Sequence, residues 1–187
     1  MEENKLSDDV FEQIKDFDNE KLIEEQELLI DKLIFNEELK ERYKYYGLCE
    51  ECKQPNTGYK WCQNCNAKRF QQNFKNWTSE NDGIDELIQN AQLNAKCYEE
   101  VLEWIEYDRF ENVGYAGKLE FGTSYKAEWK DGLIYHWDSE NNQWKRSSIS
   151  FIYICLPNST NITVEIIKEV GLFFYNVKNI DILKMPN

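Results

Sequence analysis

Four cysteines, Cys49, Cys52, Cys62 and Cys65, form the pattern C-x2-C-x9-C-x2-C, the strongest chemical signal in this 187-residue sequence. A two-residue gap lets both thiolates of a pair point at one metal, and two such pairs complete the tetrahedral sulfur shell that Zn²⁺ favours. The spacing therefore predicts a structural zinc; an iron centre, unligated thiols and disulfides are the alternatives. With all four positions supplied by protein there is no place for a catalytic water, so such a metal stabilises a fold and performs no reaction. Pro55, Asn56 and Gly58 mark the nine-residue spacer as a turn between two short ribbons. Cys97 and Cys155 stand in apolar contexts and read as small core residues.

The charges around this module are segregated. Residues 1–48 carry fifteen acidic and seven basic side chains, whereas residues 53–76 hold Lys53, Lys60, Lys68, Arg69 and Lys75 and no acid. A basic island behind an acidic arm suggests an intramolecular contact or a small anionic partner. Lys60, Lys68 and Arg69 beside Trp61 and Phe70 have the residue types of a single-stranded nucleic-acid binder, which combines base stacking with phosphate contacts. A net charge of −13 opposes that use and favours a miniature core for the aromatics.

The elements that must position these residues follow from periodicity. Residues 8–46 place Phe11, Ile14, Phe17, Leu22, Ile23, Leu29, Ile30, Leu33, Ile34 and Tyr43 at spacings near three and four, which predicts an amphipathic helical pair with a break at Asp18-Asn19. Residues 67–77 read as a helix with Phe70, Phe74 and Trp77 on one face. Two further short helices are expected over 82–93, capped by Asp82, and over 95–107. From Glu111 the period becomes strand-like: Tyr125, Ala127 and Trp129 alternate with polar residues, residues 133–137 and 143–146 flank a turn as an inserted hairpin, and residues 148–156 form an apolar strand. Ile162, Ile166 and Val170 then mark a helix, and residues 179–183 a last short strand. The longest apolar runs are far too short to span a bilayer, and the acidic N-terminus has no apolar signal segment, so an intracellular, cytoplasmic setting without a membrane is the expectation.

Strand, loop, strand, hairpin, apolar strand, helix, strand over 107–187 resembles the N-terminal lobe of a protein kinase. The stretch "YYGLCEECKQPNTGYKWCQNCNAKRFQQNFKNWTS" followed by "VLEWIEYDRFENV" is similar to the leader of an expanded fungal protein-kinase family that carries four cysteines ahead of the kinase domain. The resemblance spans roughly residues 41–187. It implies that "YAGKLEFGTSYKAEW" is the nucleotide loop and its flanking strands, with Gly117 and Gly122 at the first and third glycine positions and Phe121 at the loop-tip aromatic. It also assigns Glu169 as the regulatory-helix glutamate. Leu119 replaces the middle glycine, Glu120 follows it, and Ile154 falls at the strand position of the phosphate-gripping lysine, so ATP and Mg²⁺ are poorly supported as cofactors. His136-Trp137-Asp138 has the outline of a His-Arg-Asp loop but precedes the third strand, with Gln143 where a metal-binding asparagine is required.

The sequence thus predicts an α+β protein: an acidic helical arm over 1–46, a four-cysteine, zinc-ribbon-like module with its following helix over 47–77, a helical connector over 78–106, and an incomplete kinase N-lobe-like antiparallel sheet with one helix over 107–187. No residue is assigned as catalytic. The expected function is a non-catalytic, kinase-related binding or scaffold module with a protein partner. A fragment of an active ATP-dependent protein kinase and a zinc-ribbon nucleic-acid binder are the alternatives.

Overall fold

The computed structural model describes residues 5–105, 107–119, 122–147 and 150–155. Among the described residues, five α-helices precede five strands: α1 (Asp8–Ile14), α2 (Glu24–Leu33), α3 (Glu37–Tyr46), α4 (Gln63–Asn73), α5 (Asp82–Asn94), then β1 (Phe110–Leu119), β2 (Gly122–Trp129), β3 (Leu133–Asp138), β4 (Gln143–Ser147) and β5 (Ser150–Cys155). The strands form a three-stranded antiparallel sheet in the order β1-β2-β5 and a separate hairpin, β3-β4. The chain is α+β, as its two periodicities predict. The expected helix over 161–170 with Glu169, the strand over 179–183, and loop residues Glu120 and Phe121 lie outside the described residues.

The N-terminal arm contains three helices where the sequence suggests a pair. Asp18 does not cap a helix; its carboxylate accepts from the Glu20 N–H (3.1 Å) and closes a local turn. The second helix begins later, where the Gln26 side chain accepts from the Ile23 N–H (3.2 Å). A further break falls at Asn36, whose Oδ1 caps α3 by accepting from the Leu39 N–H (3.0 Å), with Glu37 and Glu38 in the first turn complementing the helix dipole. The three helices enclose a core of Leu6, Ile14, Ile30, Ile34, Leu39 and Tyr43. Tyr43 is 1% exposed, and its hydroxyl donates to the Ile14 carbonyl (2.9 Å), so the polar end of a buried ring is satisfied.

Helix α5 is capped by Asn81 instead of Asp82: its Oδ1 accepts from the N–H groups of Gly83 and Ile84. Of Ile84, Leu87, Ile88 and Ala91, which the spacing places on its inner face, Ile84 and Ile88 are buried and Leu87 and Ala91 half-buried, and Gln92 is buried beside them. The helix expected over 95–107 is reduced to a 3₁₀ turn at Tyr98–Glu100. Two side chains compete with a helix there: Glu100 accepts from the Lys96 N–H (2.7 Å), and Gln92 Nε2 donates to the Leu102 carbonyl (2.7 Å). In β2, Ala127 and Trp129 are buried while Lys126 and Glu128 are exposed, the alternation read from the sequence.

Gly47 ends α3 at φ 65°, and a Cβ there would lie 2.6 Å from Asn19 Oδ1. The position needs glycine both for its left-handed backbone and for close approach to the α1–α2 connection. Gly47→Ala is expected to destabilise the chain by about 1–2 kcal/mol in denaturant unfolding. Adding Asn19→Ala should recover only part of the loss, because it relieves the contact and leaves the backbone cost; full recovery would assign the whole effect to crowding.

Candidate metal centre

The four cysteines reach one point from two kinds of local structure. Cys49 and Cys52 occupy a tight turn in which the Lys53 N–H donates to the Cys49 carbonyl (2.9 Å) and the Cys49 N–H to the Gln54 carbonyl (2.8 Å). Lys53 stands at φ 59°, the left-handed step that turns the chain out of this knuckle. A bridge between Leu48 and Pro55 and another between Gly58 and Trp61 form the flanks. Cys62 is the N-cap of α4 and Cys65 lies in its first turn, so the second pair is carried on a helix start and not on a ribbon as the sequence suggests.

The ligand atoms of Cys49, Cys52, Cys62 and Cys65 all lie within 4.8 Å of one another. Cys49 and Cys65 sulfurs are 3.8 Å apart, and those of Cys52 and Cys62 3.5 Å. A tetrahedron with Zn–S bonds of about 2.3 Å has sulfur–sulfur edges of about 3.8 Å, so the cluster has the dimensions of a metal site. All four are free thiols. The Cys52 N–H bonds the Cys49 sulfur and the Cys65 N–H bonds the Cys62 sulfur, the backbone support a pair of thiolates needs.

The protonation pattern points the same way. Hydrogen bonds from Cys52 and then Cys62 draw the Cys49 thiol down, whereas contacts with Cys49 and then Cys52 drive Cys62 up. Cys65 is pushed up to about 12, by burial first and by the charge of Cys49 second. Four sulfurs this close cannot all ionise in one another's field unless a cation sits among them. The residues present fit a divalent metal such as zinc, and with four sulfurs around it no position remains for substrate.

The surroundings of the centre come from distant parts of the chain. Arg69 on α4 pairs with Glu51, inside the first cysteine knuckle, donates to Asn66 Oδ1 (2.8 Å), and holds its guanidinium 4.4 Å from the centre of the Trp137 ring on β3. Trp61, next to Cys62, is fully buried; its indole N–H donates to the Ala95 carbonyl (2.9 Å), and it stacks with Trp144 of β4 at 5.7 Å. Phe70 lies 4.8 Å from the same Trp144 ring. The hairpin read from the sequence as an insertion between sheet strands therefore packs on the cysteine module. Trp61 and Phe70 are buried in that packing and offer no open face on which a base could stack.

Of the other residues singled out, Gly117 is buried in β1 opposite Ser124, and Gly122 pairs with Leu119 at the end of the β1-β2 ladder. Ile154, on β5, pairs with Ser124 of β2. Asp138 belongs to the hairpin turn: it accepts from the N–H groups of Glu140 and Asn141 (both 3.1 Å) and from Asn141 Nδ2 (2.8 Å), and pairs with Lys145 (3.0 Å). Cys97 is half-buried, and burial pushes its thiol up to about 11, consistent with an inert packing role. Sequence reasoning noticed Arg69 as a cation but gave no signal for Glu51, Asn66 or Trp137 as its partners. Among the described residues, no helix is long and apolar enough to cross a membrane.

Arg69→Ala is expected to lower stability by about 1–3 kcal/mol, through loss of the ring contact and of charge-assisted bonds on both sides of the module. Arg69→Lys should not restore it, since an ammonium cannot pair and stack in one plane; recovery by lysine would reduce the role to simple charge. The hydrogen bonds from Asn141, then Lys145, hold the Asp138 carboxyl well below the ordinary aspartate range. A depressed carboxyl stabilises the fold above its unfolded value of about 3.9 and loses that contribution as pH falls through the folded value. Carbon-13 NMR should accordingly find Asp138 still ionised at pH 4 with the hairpin tip ordered; titration near the ordinary value would refute the assignment.

The chain matches no family model, and no curated protein or solved structure is significantly similar to it.

Proposed function

We propose that this chain is a non-catalytic, protein-kinase-related binding or scaffold module organised around one structural zinc. The observation that carries the reading is the gathering of Cys49, Cys52, Cys62 and Cys65 within 4.8 Å at the junction of the helices and the β3-β4 hairpin. A closed sulfur shell there fixes the relative positions of the two cysteine pairs beside the aromatic core of Trp61, Phe70 and Trp144, which is what a structural metal contributes.

The kinase relationship rests on the resemblance of the leader and on the order of strands. Three antiparallel strands in the order β1-β2-β5, with a hairpin inserted between the second and third, agree with the first three strands of a kinase N-lobe. The substitutions argue for lost catalysis. A leucine at the middle glycine position keeps backbone N–H groups from approaching phosphate oxygens, and an isoleucine at the strand-lysine position removes the cation that grips them. Asp138, the nearest approach to a catalytic-loop aspartate in the sequence, is committed to its turn. The nucleic-acid alternative loses support because its stacking residues are buried.

Elemental analysis of the purified chain should give about one zinc per molecule. Its thermal midpoint should fall on treatment with a chelator under reducing conditions, with a change in tryptophan emission as Trp137 and Trp144 leave the module. The midpoint should be unmoved by Mg·ATP. A reproducible ATP-dependent rise, or phosphate transfer by protein free of other kinases, would overturn the non-catalytic reading. Absence of bound zinc with unchanged stability would overturn the structural one.

A further inference from the structure

Beside the cysteine centre is an open cleft of about 670 Å³, with Cys49, Cys62 and Cys65 along it, the end of α3 on one side and the β3-β4 hairpin on the other. Its charges do not balance. Arg69 is paired with Glu51 and Lys145 with Asp138, which leaves Glu20, Glu50 and Glu140 in no ion pair among the described residues, facing the single cation Lys60. A divalent metal held by four thiolates adds two further negative charges to the same wall. Three exposed phenol rings complete the lining, Tyr45, Tyr46 and Tyr59. The Tyr59 ring already carries the Lys60 ammonium at 5.7 Å from its centre; carboxylates interleaved with the exposed Tyr45 and Tyr46 rings are the chemistry that receives guanidinium and ammonium groups.

A second observation concerns hydrogen bonding. Asn66 lines the cleft and is only 2% exposed, yet its Nδ2 has no acceptor. The orientation of the amide is set by Arg69, which donates to the other end, Oδ1 (2.8 Å). His136 also lines the cleft, and its Nδ1 is likewise without a partner. A donor left unpaired in a shielded wall costs about 1–3 kcal/mol, which an acceptor brought by a ligand would remove. Extended peptide backbone supplies such acceptors at regular intervals.

We infer that the cleft binds a basic, extended segment of a partner protein, with arginine or lysine side chains between Glu50, Glu140 and the tyrosine rings, and a main-chain carbonyl on Asn66. The inference rests on the reading of the chain as a binding module and specifies the class of partner. It also replaces the small anionic partner suggested by the basic run in the sequence: Arg69 of that run is already neutralised by Glu51, and the remaining cleft charge repels an anion.

The test is a fluorescence-anisotropy titration of the full, zinc-loaded chain at about 0.15 M salt, where diffuse attraction is screened beyond about 8 Å. The probe is a labelled nine-residue peptide alternating arginine and alanine, with a glutamate–alanine peptide as control. Saturable binding of the basic peptide alone is expected. E50Q with E140Q should weaken it about tenfold, whereas E24Q with E25Q, which removes the same charge from the exposed start of α2, should change it less than about twofold. E20Q with E140Q repeats the test without touching the cysteine knuckle, and zinc content is measured for each variant. Equal weakening by cleft and α2 variants, or no saturable binding, would overturn the inference. A chain that holds zinc and ignores ATP but fails this titration would leave the structural reading standing and remove the cleft alone.

Discussion

Trp61 and Cys62 are consecutive residues that face two different interiors, and the rest of the module depends on that step. The thiol enters the four-cysteine cluster, while the indole beside it is fully buried among Phe70, Ala95 and Ile134 and bonded to the Ala95 carbonyl. Because the two side chains share one stretch of backbone, sulfur cluster and aromatic core cannot shift independently. A metal that fixes Cys62 also fixes the ring around which α4, the residues after α5 and the hairpin assemble. Burying an indole of this size, with its polar N–H satisfied, is among the larger single contributions a small core can make. The preceding turn is closed by the Thr57 N–H to the Trp61 carbonyl (2.8 Å) and the Trp61 N–H to the Gly58 carbonyl (3.0 Å), and the Gln63 N–H bonds Thr57 Oγ1 (3.1 Å), so the turn carries Trp61 and the start of α4 together.

The acidic N-terminal arm is joined to the same centre by backbone geometry. The Leu6 N–H donates to Gln54 Oε1 (2.6 Å), and Gln54 Nε2 returns a bond to the Leu6 carbonyl (3.1 Å), so one glutamine side chain imitates a strand partner. On the other flank Arg42 donates to the carbonyls of Pro55 and Asn56, and Asn56 Nδ2 donates to the Tyr46 carbonyl (3.0 Å). These contacts grip the segment between the two cysteine pairs from both sides. The helical core of Ile14, Ile30 and Tyr43 therefore serves as the platform on which the first knuckle is built. Its surface ion pairs, such as Lys44 with Asp31 (2.8 Å), add little by comparison, since exposed pairs are each worth under about 1 kcal/mol.

What the sequence revealed and what it concealed divide along the range of the interactions. The cysteine cluster, the alternation of Tyr125, Ala127 and Trp129, the β3-β4 hairpin and the buried face of α5 are all set by neighbours a few residues away, and each could be read from spacing. Local competition was harder to see. Asn36 interrupts a run whose apolar spacing continues through it, and the segment after Cys97 has helical periodicity but gives its hydrogen-bonding groups to Glu100 and Gln92. The docking of the hairpin was not legible at all, because Trp144 against Phe70 and Trp137 against Arg69 join residues far apart in the chain with no repeating pattern between them. The surroundings of the candidate metal site are made of such contacts, which is why the ligands could be named from the sequence and their neighbours could not.

On the proposed kinase relationship, the placement of the hairpin also bears on how a nucleotide-binding lobe could be retained without its chemistry. Two connections tie the hairpin in: Arg146 on β4 forms a bidentate pair with Glu103 (3.2 and 2.5 Å) and lies 5.3 Å from the centre of the Trp129 ring on β2. Burial pushes the Glu103 carboxyl up and the Arg146 charge opposes it, so the pair is held by geometry in a poorly solvated place where removing either partner would strand a charge. Through Arg146 the three-stranded sheet leans on the hairpin, and through Trp144 the hairpin leans on the cysteine module. The contacts that hold these parts together require neither the glycine nor the lysine that phosphate binding demands.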